Sequence, residues 1–153
     1  MDRSQAKYID IDGINTRYFE AGAGEPMILI HGGQPGMASS AEIWFLNIDE
    51  LAKKYHIYAL DKLGQGYTDN PKINEDYTMG AQVKHAVGFM NKLNISNAHL
   101  LGHSRGGYMT TRIALEYPHL AKSIVIIDSA TLMANPNTFN FYEDVAERAK
   151  LIK

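Results

Sequence analysis

The sequence predicts an α/β fold: a mostly parallel sheet of about six strands, incomplete, with an antiparallel hairpin at its start. Three observations predict it. Two short strand patterns are followed by regular strand–helix alternation, as in βα units. Two later strands, in PMILI and IVII, are continuous apolar runs of the kind found in strands buried on both faces. The segment GHSRGG, 102–107, lies between an apolar run and a helical pattern, a G-x-S-x-G in strand–turn–helix context.

The elements follow in chain order. Tyr8, Ile9 and Ile11 form a short strand that ends at Asp12-Gly13, a hairpin turn pair. A second strand, Ile14 to Glu20, alternates loosely and stops at AGAGE. PMILI follows a proline and runs into HGG. Residues 41–54 read as a helix with Trp44, Ile48 and Leu51 on one face. His56 to Leu60 is a strand ended by Asp61 and a glycine loop, DKLGQGYTDNP. Residues 77–93 carry the clearest helical stripe, Met79, Val83, Val87 and Met90. Ala98 to Gly102 is strand, Ser104 to Tyr117 helix, and Lys122 to Asp128 strand. A last helix starts near Thr138.

Composition narrows the class. Apolar residues make up 45 % and charged residues 21 %, a globular balance. The formal charge of −2 shows no basic stripe, which argues against nucleic acid as a partner. With no cysteine there are no disulfides or thiolate metal sites. The polar start MDRSQAKYID has no apolar signal core, and no run approaches the ~18 residues of a membrane span. A cytoplasmic protein with no membrane partner is expected.

Ser104 is the candidate nucleophile. The turn around it is so tight that its flanks must be nearly bare, hence the glycines. Attack on a carbonyl needs backbone N–H groups aimed at the developing oxyanion. Arg105, the residue after the serine and the start of a helix, supplies one. The HGG turn supplies the other, from Gly33 first and Gly32 second. Asp61 is read as the organiser of its glycine loop, and His31 as a backbone-bonding residue. No cofactor is implied: GAGE lacks the Walker residues, and no two histidines fall at i, i+4 on a predicted helix.

HGGQPG, DKLGQGYTDNP and GHSRGG, in that order, resemble the α/β-hydrolase superfamily. The HGGxPG loop is most similar to meta-cleavage-product (carbon–carbon bond) hydrolases and nearby esterases. The resemblance spans about residues 8 to 130 and implies an N-terminal part only: 1–130 as hydrolase core, 131–153 as the start of a helical cap. It implies Ser104 as nucleophile and Gly33 and Arg105 as oxyanion donors, acting on a small carbonyl substrate by carbon–carbon or ester hydrolysis. His103 and Arg105 flank the serine where carbon–carbon hydrolases tend to carry asparagine and methionine, so a generic carboxylesterase stays open. So does a ligand-binding protein of the same fold.

In that family the acid follows the seventh strand and the histidine the eighth, so the resemblance implies a chain without its base and inactive alone. After Ser104 the one histidine is His119, which the elbow helix carries about 18–20 Å away at about 1.5 Å per residue. Asp128 ends the sixth strand, where some relatives such as haloalkane dehalogenases keep their acid, and is a possible acid here. The same reading makes strand 122–128 an exposed edge, open to self-association or to pairing with a missing C-terminal half.

Overall fold

The structure, a computed structural model, describes residues 2–33 and 37–132. The cap segment expected over 131–153 and its helix from Thr138 fall almost wholly outside these residues. A 3-10 turn, Ala130–Leu132, is the last element described.

Among the described residues six strands form one sheet: β1 (Lys7–Ile11), β2 (Ile14–Ala21), β3 (Glu25–Ile30), β4 (Tyr55–Leu60), β5 (Ala98–His103) and β6 (Ala121–Ile127). Their order is β1-β2-β4-β3-β5-β6. β1 and β2 are antiparallel, β2 joins β4 antiparallel, and β4, β3, β5 and β6 run parallel. Asp12 and Gly13 both take positive φ, 53° and 79°, as a two-residue hairpin turn demands, and Ile11 pairs with Ile14 across it.

Period-2 alternation divides the central strands between two cores. Ile28, Ile30, Tyr58 and Leu60 face one side; Met27, Leu29, Ile57 and Ala59 face the other. The first side is covered by α2 (Met79–Lys92) and α3 (Arg105–Glu116), through Val83, Phe89, Met90, Met109 and Ile113. Thr78 starts α2 by accepting the Ala81 N–H at 3.1 Å. The second side is covered by a 3-10 turn, Ala41–Trp44, and α1 (Phe45–Leu51), through Trp44 and Ile48. No helix among the described residues is long and apolar enough to cross a membrane.

Two sequence expectations need correction. β2 does not alternate: Thr16, Arg17, Tyr18 and Phe19 are all buried, because β2 is flanked on both edges and its arginine is neutralised inside the fold. IVII, read as a run buried on both faces, lies at the sheet edge, with Ile124, Val125, Ile126 and Ile127 each 40–45 % exposed. Ile126 faces α3 across Gly107, while Ile127 shares an open groove with Leu101, Trp44 and Leu51. The edge position is the one implied by the resemblance.

His85, on the buried face of α2, bonds the Thr16 hydroxyl through Nε2 at 2.9 Å. Burial holds its pKa down at about 4. The unfolded chain takes this proton near 6.5. The histidine therefore contributes stability that is full above pH 6.5 and lost as pH falls toward 4. The urea midpoint is expected to drop across that window, and less steeply in His85→Gln, which does not titrate. Identical slopes for the two proteins would count against this account.

Candidate active site

β3 and β5 are adjacent and parallel, with Ile30 paired to Gly102. Their C-terminal ends therefore deliver the His31-Gly32-Gly33 turn and Ser104 to one place. A Cβ on Gly32 would stand 2.9 Å from Ser104 Cβ and 3.3 Å from His103 O, so Gly32 packs directly against the Ser104 side chain and the end of β5. This is the adjacency the sequence reading required of a nucleophile and its oxyanion turn.

Ser104 takes φ 53°, ψ −120°, between the end of β5 and the first residue of α3. That region is strained for any residue with a Cβ, at about 1–3 kcal/mol. The surroundings over-determine it. The Ser104 N–H donates to Ile127 O at 2.8 Å, its carbonyl accepts from Gly107 N–H at 2.9 Å, and Ser129 Oγ donates to the same carbonyl at 2.6 Å. The flanking glycines are forced by close approach. A Cβ on Gly102 would meet Gly106 O at 2.2 Å, and one on Gly106 would meet Ile30 O at 2.2 Å. Ser104 is half-buried, and no described side chain hydrogen-bonds its hydroxyl. Ser104→Gly is expected to be more stable than Ser104→Ala by about 1–2 kcal/mol, because only glycine relieves the strain. Urea melts of the two variants check this; equal midpoints go against it.

The candidate oxyanion donors occupy the same end of the sheet. Arg105 opens α3, at the positive end of its dipole. Gly33 adopts φ +77°. His31 is fully buried, and its Nε2 accepts the Lys62 backbone N–H at 3.1 Å. The proton therefore sits on Nδ1, which donates to the Gly32 carbonyl at 2.8 Å and lies 3.1 Å from Ser39 Oγ. Burial, then the Lys62 charge, push the His31 pKa down to about 3, which keeps the ring neutral in this role. Lys62 was not anticipated from sequence. It is fully buried, and its Nζ donates to Gly33 O at 2.7 Å. Burial, then Arg105, lower its pKa to about 7. Its one sequence signal is a lysine two residues past an apolar strand, next to Asp61.

Asp61 does organise its loop. Oδ1 accepts the Ala41 N–H at 2.7 Å; Oδ2 accepts Tyr67 N–H at 2.8 Å and Arg17 Nε at 2.7 Å. His103 Nδ1 lies against Gly32 and has no hydrogen-bond partner among the described residues. His119 is exposed in the 3-10 turn beyond α3, away from this end of the sheet. Asp128 is exposed at φ 48°, one residue past β6. Among the described residues no group of three or more metal-binding side chains occurs.

The alpha/beta hydrolase fold family model matches residues 25–151, most of the chain. The chain belongs to the alpha/beta hydrolase fold family. This hydrolase-fold chain is 38 % identical over 118 residues to 2-hydroxymuconate semialdehyde hydrolase of Pseudomonas sp. (strain CF600), covering 77 % of itself and 41 % of that relative. It is 34 % identical to 2-hydroxy-6-oxo-6-(2'-aminophenyl)hexa-2,4-dienoic acid hydrolase of Metapseudomonas resinovorans, covering 83 % and 43 %. Among solved structures it resembles a variant of the meta-cleavage product hydrolase from Pseudomonas fluorescens IP01, with TM-score 0.73 and 36 % identity over 80 % of this chain and 44 % of that one. The hydrolase-fold chain thus spans under half the length of each of these three relatives.

Proposed function

We propose that this chain carries the nucleophile half of a serine hydrolase acting on a small carbonyl substrate, by carbon–carbon or ester hydrolysis. The observation that carries the reading is Ser104 held at φ 53°, ψ −120°, in contact with the Gly32 turn. Strain of this kind persists where the surroundings enforce it, and it clusters at reacting groups. Ser104 Oγ attacks the carbonyl or assists formation of a gem-diol, and the Gly33 and Arg105 N–H groups take the oxyanion. The likeness to meta-cleavage product hydrolases supports the carbon–carbon branch. Asp128, one residue past β6, is a candidate acid; Asp61 is engaged at both oxygens in structural bonds. A base for Ser104 is not among the described residues around it, so nitrophenyl ester turnover by residues 1–153 is expected to be low.

The test is site-selective phosphonylation. A fluorophosphonate probe is expected to leave its adduct on Ser104, slowly, and to leave none on Ser104→Ala. An adduct spread over other serines, or none after prolonged exposure, overturns the reading.

Strand β6 has a second consequence. Among the described residues no strand pairs with its outer edge, along a run with no charge from Ile124 to Ile127. Two such edges can pair about a twofold axis, each burying the other's apolar row. We propose that residues 1–153 alone self-associate this way. Size-exclusion chromatography is expected to give a dimer or larger that Val125→Lys shifts toward monomer. A monomer at micromolar wild-type concentration is the contrary result.

A further inference from the structure

Gly33 is the preferred oxyanion donor: its N–H lies in the peptide plane before it, and the plane after it anchors the far side of the residue. The plane before it is fixed by His31 Nδ1–H, which donates to Gly32 O at 2.8 Å. The plane after it is fixed by Lys62 Nζ, which donates to Gly33 O at 2.7 Å. Both grips originate at Lys62, because its backbone N–H occupies His31 Nε2 at 3.1 Å and so sends the histidine proton to Nδ1. Such a device is needed here. A glycine at φ +77° has no Cβ to confine it, and a loose donor is a poor one for an oxyanion. The lysine is an expensive choice, since burying an ammonium is costly and an apolar side chain would fill the space more cheaply. A donor that reaches a carbonyl is what an apolar residue could not supply.

We propose that Lys62 is a positioning residue for the oxyanion turn, its side-chain amine holding the Gly33 carbonyl and its backbone amide setting the His31 tautomer that holds the Gly32 carbonyl. The inference rests on the reading of Ser104 as nucleophile and Gly33 as donor. It extends that reading to a residue in the loop after β4, whose side chain need not touch substrate.

The experiment compares wild type, Lys62→Met and Lys62→Arg by two readouts. The first is the 15N order parameter of the Gly33 amide, which needs no reaction. It is expected near about 0.85 in wild type and Lys62→Arg, and below about 0.6 in Lys62→Met, with core amides unchanged. The second is phosphonylation of Ser104 by the fluorophosphonate probe. Lys62→Met is expected to lower the maximal inactivation rate about tenfold with less than a twofold change in the half-saturating concentration, and Lys62→Arg to restore most of it. A Gly33 amide equally rigid in folded Lys62→Met overturns the positioning role, whatever the probe does. A wild-type chain that takes no adduct at Ser104 counts instead against the nucleophile reading, and the order parameter still decides Lys62. If Lys62→Met does not fold, Lys62→Leu, which likewise has no donor, replaces it in both measurements.

Discussion

Replacing Asp61 with alanine is expected to destabilise the protein by about 3–5 kcal/mol, the cost of leaving a buried charge without its partner. The Asp61 carboxylate is fully buried and accepts from the Arg17 guanidinium and from the Ala41 and Tyr67 N–H groups. The Arg17 side chain is 3 % exposed. Burial works against its charge, but the hydrogen bond and charge of Asp61, and then those of Glu42, hold its pKa above the usual value. Alanine at 61 would leave Arg17 with Glu42 alone at 3.0 Å and strand two backbone donors. The pair is not itself a large source of stability, since apolar replacements of buried pairs are often neutral. Arg17→Met with Asp61→Leu is therefore expected to cost less than the sum of the single changes by about 1–3 kcal/mol. Urea denaturation of the four proteins measures this. A single-variant loss below about 1 kcal/mol, or strict additivity, would remove the argument.

Gly106→Ala is the second large effect. Its Cβ would lie 2.2 Å from Ile30 O, 2.8 Å from Ile30 C and 2.9 Å from His31 O, all backbone of β3 and the turn after it. No rotamer change relieves a clash with a central strand. The variant must push α3 off the sheet or displace the His31-Gly32-Gly33 turn, and a loss above about 4 kcal/mol, or failure to fold, is expected. Gly80→Ala is the internal control. Its Cβ would meet nothing nearer than Thr78 Oγ1 at 3.8 Å, so the helix gains about 0.5–1 kcal/mol from the better helix former. Circular dichroism and urea melts of the two variants suffice. A well-folded Gly106→Ala would mean that the elbow does not pack against β3 as described.

Much of the architecture was legible in the chain because its causes are local. The hairpin at Asp12-Gly13, the α2 stripe and the bare flanks of Ser104 each follow from a few neighbouring residues. Helix 41–54 was legible as an apolar face but divides into a 3-10 turn and α1. The β2 pattern was misread because a buried arginine looks polar in sequence, and its neutralising aspartate is 44 residues away.

By itself the sequence determined the α/β class, the strand-to-helix bend at Ser104 and the glycines that bend requires, since periodicity and steric exclusion act over a few residues. Only the tertiary structure decided that β3 lies beside β5, so that Gly32 touches Ser104, and that Lys62 is buried with its amine on the Gly33 carbonyl. Strand order joins groups tens of residues apart. A polar side chain's worth depends on the partner it finds there.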